Sequence, residues 1–219
     1  MKSSSGLTLY LVRHGETVWN RERRMQGQAD SPLTKLGRAQ AETHADLLAR
    51  HEVDRIIASP LGRVRETAAV ISRRLVVTPD FDDRLMEWSC GDWAGILYSD
   101  LSRLWPKEHA AWLGDRYGVR PPGGENMEDL RARAEAFWGE WQDRLTGRVA
   151  LIGHGLMNRA IAGVLLDLSR AEIMAIRQKN DRIIRLSFTA DRPIVHHFAG
   201  LRGPLTGLPG ERGMTIPVS

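Results

Sequence analysis

The sequence predicts an α/β fold with helices layered on a sheet. Three observations lead there. Short apolar runs at 7–12, 55–58 and 149–152 have the length of buried strands. Amphipathic helical stretches lie between them. The chain has 219 residues, 42% hydrophobic and 26% charged, which is long enough to bury a substantial core.

In order, the first run sets Leu7, Leu9 and Leu11 against Thr8 and Tyr10, adds Val12, and delivers Arg13, His14 and Gly15 at its end. Gly15 is expected to turn the chain sharply there. A polar loop follows over 16–33. Thr34 reads as the N-cap of a helix to about Arg50. Residues 54–58 form a second strand, Ser59-Pro60 turns the chain, and a helix is expected over about 61–74. Leu75, Val76, Val77 and Thr78 read as a short third strand. From about 88 to 125, Trp88, Trp93, Trp105 and Trp112 stand among glycines and prolines without a long period. This is an insert expected to cover the site, with most of its tryptophans packing a small satellite core.

Asn126 caps a helix on which Leu130, Ala134, Phe137, Trp138, Trp141 and Leu145 recur at helical spacing. A strand at 149–152 delivers His154, a helix runs over 156–168, and Ser169 with Glu172 makes a capping box for another. Residues 183–188 and 194–198 read as a closing strand pair. The chain is thus a single domain over 1–198 carrying the insert, with a Gly/Pro-rich tail over 199–219. That tail is expected to be mobile and to build no core.

Composition narrows the function. The net charge is +4, and 27 of the 31 basic residues are arginine. They are spread along the chain and diluted by acids, without a zinc-finger, RRM or KH pattern, so no nucleic-acid partner is expected. A moderately positive field around an anion site is the better use of that charge. No apolar run approaches a membrane span. The first six residues are polar, the apolar run after them is too short for a secretory segment, and the single Cys90 fits a reducing compartment, so a cytoplasmic location is expected.

The chemistry-bearing residues converge on phosphoryl transfer, which needs an in-line nucleophile, charge neutralisation and a proton for the leaving oxygen. His14 can be the nucleophile and become a phosphohistidine. Arg13 and Arg63 would lower its pKa, favouring the neutral, attacking form, and can clamp a phosphoryl group bidentately. Arg63 falls in the first turn of a predicted helix, where the dipole favours an anion. His154, also at a strand end, can bring a second positive donor to the same oxygens, and Asn20 a neutral hydrogen bond. Glu87 is the proton donor: an incoming phosphate dianion opposes its ionisation, and once ionised it can activate water.

A metal held by His14, His154 and Glu87 is disfavoured by two adjacent guanidinium groups, so neither metal nor cofactor is expected. Gly153-His154-Gly155 is no dinucleotide loop, because Asn158 stands at the third glycine position. His44, His51 and His109 read as surface residues. Of His196 and His197, one faces the core by alternation.

Four stretches occur in a fixed order: Arg13-His-Gly-Glu-Thr-Val-Trp-Asn20 with Gln26-Gly27 and Asp30-Ser-Pro-Leu-Thr34; Ser59-Pro-Leu-Gly-Arg63 with Glu66-Thr-Ala68; Leu85-Met-Glu87 with Gly91-Asp-Trp-Ala-Gly95; and Ile152-Gly-His-Gly155. Together they resemble the histidine phosphatase superfamily, the phosphoglycerate mutase-like fold, over roughly residues 7–198. The resemblance implies a three-layer sandwich with a mostly parallel central sheet flanked by helices. It also implies a catalytic set of His14, Glu87, Arg13, Arg63 and His154, with Asn20, Gln26, Gly27 and Gly155 at the substrate.

Within that family, the cofactor-dependent mutases carry a basic run after the acid and further arginines in the insert. Here Glu87 is followed by Trp88-Ser89-Cys90-Gly91, and the insert has only isolated Arg103, Arg116 and Arg120. Pro121-Pro-Gly-Gly-Glu-Asn126 resembles the phosphatase branch, although that branch more often has serine where Asn126 stands. Arg65-Glu66-Thr67-Ala68 departs from the commoner Gln-Thr-Ala. The expectation is therefore a metal-independent phosphomonoesterase acting on a small phosphorylated metabolite. The tryptophan-rich insert points to a partly apolar or sugar-like leaving group. The alternatives are a cofactor-dependent phosphoglycerate mutase and a silent phospho-ligand binding module. The oligomeric state is not legible.

Overall fold

The central strand, β1 (Thr8–Arg13), is buried on both sides, and alternation divides its residues between two cores. Leu9 and Leu11 belong to one apolar cluster, Tyr10 and Val12 to the other. Two cores on opposite faces of one sheet make a three-layer sandwich. A computed structural model describes residues 6–190, 192–210 and 215–216 of the chain.

After β1 come a short helix α1 (Val18–Glu22), α2 (Lys35–Arg50), β2 (Arg55–Ala58), α3 (Gly62–Leu75) and β3 (Asp80–Phe81). The insert contributes α4 (Leu101–Leu104) and α5 (Pro106–Gly114). Then follow α6 (Met127–Trp141), β4 (Arg148–Gly153), α7 (Gly155–Leu165), α8 (Arg170–Ala175), β5 (Arg182–Ser187), β6 (Ile194–Ala199), β7 (Arg202–Thr206), β8 (Leu208–Pro209) and β9 (Thr215–Ile216). Seven strands form one sheet in the order β3-β2-β4-β1-β5-β6-β7, while β8 and β9 pair separately. β1 to β4 and β6 run one way, and β5 and β7 the other, so the sheet is mostly but not wholly parallel.

The α2–α3 face buries Ala45, Leu48, Val64, Ala68 and Ile71 against Val12, Ile56 and Ile152. On the other face α6 and α7 cover Leu9, Leu11, Val149 and Leu151 with Leu130, Phe137 and Ile161. The capping signals act as their residue types require. Asn126 Oδ1 accepts from the N–H groups of Glu128 and Asp129 at 3.1 and 3.0 Å, and Asp129 returns the bond to the Asn126 N–H at 2.9 Å. Ser169 and Glu172 form the expected box at α8.

Registry fixes where the site lies. Arg13 pairs with Gly153, and Ala58 with Ile152, so the carboxyl ends of β1, β4 and β2 stand side by side. The residues that follow them, His14, His154 and Ser59, are brought together at one edge, where α/β sheets bind ligands.

Three expectations need correction. Residues 75–78 are not a strand: α3 runs through Leu75, helped by Arg73 and Arg74 in its last turn, and Val76 caps it in the left-handed region at φ 58° with its side chain exposed. The pairing strand is Asp80–Phe81 instead. The tail described to residue 210 is not structureless either. β7 joins the sheet edge beside β6, and Leu208 is fully buried in the core. Its glycines serve turns rather than disorder: Gly207 sits at φ 84°, and its carbonyl accepts from His197 Nδ1 at 2.9 Å. His197 is the buried member of its pair, as alternation expected. Residues 211–214 and 217–219 of that expectation lie outside the described residues.

His44 and His109 are not surface residues. His44 lies on the inner stripe of α2 with Ala41, Ala45 and Leu48, and its Nε2 donates to the Asn180 carbonyl at 2.9 Å. Burial pushes its pKa down to about 4. An unfolded chain takes up this proton near pH 6.5 while the native chain refuses it until about pH 4. The stability it contributes is therefore complete above pH 6.5 and is lost as pH falls towards 4. Urea unfolding at pH 7.5 and pH 5 should show His44→Gln losing less stability than the wild type between those values, by roughly 2 kcal/mol. Equal losses would contradict the buried neutral state.

Candidate active site

Gly15 owes its place to close approach. Its φ is not in the left-handed region; a Cβ there would run into the Gly37 carbonyl, and one on Gly37 into the Glu16 carbonyl. The loop after β1 is thus pressed flat against the first turn of α2, where the Gly37 N–H donates to the Thr34 cap at 3.0 Å. Alanine is favoured over glycine inside a helix by about 1 kcal/mol. Here the backbone collision outweighs it, and Gly37→Ala should destabilise by on the order of 3 kcal/mol. A melting temperature equal to or above the wild type would contradict this packing.

His14 is buried and held at both ends. Its carbonyl accepts from Asn180 Nδ2 at 2.7 Å, and the following Gly15 N–H donates to Thr67 Oγ1 at 3.2 Å. Its Nδ1 lies 2.8 Å from the Gly15 carbonyl. A carbonyl can only accept, so Nδ1 carries the proton and Nε2 presents the lone pair. Burial first, then the charges of Arg63 and Arg13, holds its pKa well below the usual value, so the ring is neutral at neutral pH.

His154, the N-cap residue of α7, faces it with ring centroids 5.3 Å apart. Arg63 Nη2 donates to its Nδ1 at 3.1 Å, so its Nε2 carries the proton and donates to Ser59 Oγ at 2.9 Å. Burial, Arg63 and His14 depress its pKa as well. It is a neutral residue in this arrangement, not the second positive donor expected.

Arg63 is almost entirely buried in the first turn of α3. It donates to the carbonyls of Ala29 at 2.8 Å and Gly27 at 2.6 Å and to Asp30 at 3.2 Å. Asp30 also accepts from the Gly62 and Arg63 N–H groups at the start of that helix. Arg13, half-buried, donates to the Gln178 carbonyl at 2.8 Å. Glu87 lies across the start of α7: its carboxylate accepts from the N–H groups of Leu156 at 3.3 Å and Met157 at 3.2 Å, where the helix dipole favours a negative charge.

The four residues expected at the substrate are placed differently from one another. Asn20 closes a capping box with Thr17 and donates to Gln26 Oε1 at 3.4 Å. Gln26 is buried, takes a second bond from Thr17 Oγ1 at 2.9 Å, and leaves its Nε2 donor without a partner among the described residues. Gly27 contributes its carbonyl to Arg63 and, at φ 53°, packs against Cys90. Gly155 opens α7 against the Arg13 guanidinium, and its N–H is among those that helices leave without an internal partner.

Sequence reasoning missed the groups that fix these residues: Ser59, Asp30, Thr67, Asn158, Gln178 and Asn180. Asn158 Nδ2 donates to the Val12 carbonyl and to Gln178 Oε1, and Gln178 Nε2 to Leu11, tying α7 and the 178 loop to β1. Ser59 carried a usable signal, since it directly follows a predicted strand.

The insert's tryptophans pack on one another. Trp88 stacks on Trp112 at 6.1 Å, and Trp93 meets Trp112 edge-on at 5.6 Å, with His109 against both Trp93 and Trp112. They join the main core of the α6–α7 face rather than the small satellite core expected, so the apolar leaving group inferred from them loses its support.

Two imidazoles between two arginines, with a carboxylate on a helix start, define a site built to meet an anion. The model of the histidine phosphatase superfamily, branch 1, matches residues 9–199, and the chain belongs to that superfamily. It is accordingly a phosphoryl-transferring enzyme. Among its relatives, a protein named "Probable phosphoglycerate mutase GpmB" from Salmonella choleraesuis (strain SC-B67) is 35% identical over 187 residues, covering 83% of this chain and 85% of that protein. A mycobacterial glucosyl-3-phosphoglycerate phosphatase solved with VO3 shares 31% identity with a TM-score of 0.79, covering 88% of this chain and 98% of the other. The alpha-ribazole phosphatase of Shigella flexneri, at 22% identity and TM-score 0.82 over 92% of this chain and 98% of its own, shares the fold. No helix among the described residues is long and apolar enough to cross a membrane.

Proposed function

We propose that the chain is a metal-independent phosphomonoesterase acting on a small phosphorylated metabolite through a phosphohistidine at His14. The observation that carries this reading is the tautomer of His14: Nδ1 donates to the Gly15 carbonyl, which leaves the Nε2 lone pair for attack. Nε2 bonds to phosphorus as the bond to the leaving oxygen breaks. Glu87 gives that oxygen its proton, then takes one from the water that attacks the phosphohistidine, releasing phosphate and restoring His14. Arg13 and Arg63 neutralise the equatorial oxygens. Asn20, the Gln26 Nε2 donor and the Gly155 N–H complete the hydrogen bonding, and His154 acts by holding Arg63 in place. The two guanidinium groups beside the histidines would repel a divalent cation.

Phosphate release from a panel of small phosphomonoesters, run in excess EDTA, tests this. Metal-independent release supports it. Release abolished by EDTA, or transfer between hydroxyls without release, contradicts it. The second outcome is the mutase reading, which the name of the Salmonella relative favours.

A further inference from the structure

Glu87 stands on a stretch that belongs to no helix or strand. The 3₁₀ turn Asp83–Leu85 ends before it, and residues 86–90 run irregularly. Backbone groups in such a stretch must find their partners elsewhere. Here side chains supply them, and one guanidinium supplies most. Arg133, on α6, donates through Nη1 to the Met86 carbonyl at 2.7 Å and the Arg84 carbonyl at 3.3 Å. Through Nη2 it donates to the carbonyl of Glu87 itself at 3.1 Å. Gln28 Nε2, from the loop after α1, donates to that same Glu87 carbonyl at 3.0 Å.

A second grip lies two residues past the acid. The Glu125 N–H donates to the Ser89 carbonyl at 2.8 Å, and the Glu125 carboxylate accepts from the Ser89 N–H at 2.6 Å. The same carboxylate oxygen accepts from Arg133 Nη2 at 3.0 Å, so the partly buried guanidinium has its counter-ion in place. Gly91 lets the Pro121-Pro-Gly-Gly-Glu-Asn126 turn close in, since a Cβ there would strike the Pro122 carbonyl. That turn and Arg133 thus fix the chain on both sides of Glu87.

Between these holds the Glu87 carboxylate is aimed by three N–H groups: its own neighbour Trp88 at 3.1 Å, Leu156 at 3.3 Å and Met157 at 3.2 Å. The hydrogen bonds of Arg133 among the described residues go to main-chain carbonyls and to Glu125. It therefore acts through Glu87 and not on the substrate. A planar fork of donors can serve several carbonyls at once, which a lysine ammonium cannot match. A proton donor must stay within hydrogen-bond reach of the leaving oxygen, and a misplacement of about 1 Å costs on the order of 10²-fold.

We infer that Arg133, backed by Glu125, is a positioning residue for Glu87, holding the main chain at 84–89 so that the carboxylate stays on the start of α7. The inference rests on the role given to Glu87 in the phosphomonoesterase reading, and its test separates the two. Rates on glycerol 3-phosphate and p-nitrophenyl phosphate are measured for the wild type, Arg133→Met, Arg133→Lys and Glu125→Gln, and for Arg133→Met combined with Glu87→Gln. Amide exchange is followed on the same proteins.

Arg133→Met should lower kcat for glycerol 3-phosphate by on the order of 10²-fold with KM nearly unchanged, while the burst of nitrophenol from p-nitrophenyl phosphate keeps its rate within about twofold. Arg133→Lys should restore part of the loss. Glu125→Gln, which keeps an acceptor for the Ser89 N–H and is the milder change for folding, should lose less in the same direction. On the Glu87→Gln protein, Arg133→Met should add nothing, because the group it positions is already gone. Equal losses on both substrates, or a full further loss on Glu87→Gln, overturns the inference. The Leu156 and Met157 amides should exchange at least about tenfold faster in Arg133→Met, with the Ala162 amide unchanged. Retained protection at those two amides also overturns it. If the wild type hydrolyses neither ester, faster exchange there still supports the hold on Glu87, and only the phosphomonoesterase reading falls.

Discussion

Replacing His14 by alanine should lower phosphate release by on the order of 10⁴-fold or more, with little change in fold. The size follows from what is removed. Arg13, Arg63 and the Gln26 donor still bind and polarise a phosphoryl group, so affinity for inorganic phosphate should survive. The covalent route does not survive, because no other nucleophile takes its place. The neighbouring imidazole, His154, has its Nδ1 lone pair engaged by Arg63 and its Nε2 proton engaged by Ser59. Stability should fall little, since alanine keeps the backbone bonds from Asn180 and Thr67. Steady-state release with phosphate binding measured in parallel checks both halves. A variant that keeps more than about a hundredth of the activity would show that His14 is not the nucleophile.

Glu87→Gln should separate substrates by their leaving groups. Glutamine can still accept from the Leu156 and Met157 N–H groups, so the start of α7 keeps its contacts. It cannot give up a proton. For alkyl phosphates, whose alkoxide leaves poorly, the loss should be about 10²- to 10⁴-fold. For p-nitrophenyl phosphate, whose phenolate leaves unaided, phosphorylation of His14 should be nearly untouched, leaving a burst of nitrophenol followed by slow hydrolysis of the phosphohistidine. Equal losses on both substrates, with no burst, would assign Glu87 a structural place only.

The residues of the candidate site were legible because they follow buried strands or stand beside glycine and proline. Arg13, His14 and His154 come off β1 and β4, and Arg63 opens a helix after a Ser-Pro turn. The groups that set their protonation were not legible. Ser59 and Asp30 are ordinary turn residues until β2 lies beside β4 and α3 starts against the 30 loop. The neutrality of His154 comes from burial first and then from Arg63, 3.1 Å away in space but 91 positions away in sequence, and no local pattern records either.

His44 could have been found, since it shares the stripe of Ala41, Ala45 and Leu48; its polar type masked a core position. The strand expected at 75–78 failed because an apolar run at the end of a helix looks like the start of a strand. The tail was misjudged because glycine and proline were taken for disorder, when an edge strand accepts both.

The central claim is that phosphate passes through His14. The most direct test is to quench turnover of a radiolabelled phosphomonoester within milliseconds and map the label. An acid-labile, base-stable phosphoryl group on the peptide containing His14, absent from His14→Ala, is the predicted result. Turnover that proceeds without a phosphoenzyme, or a label on another residue, would contradict it.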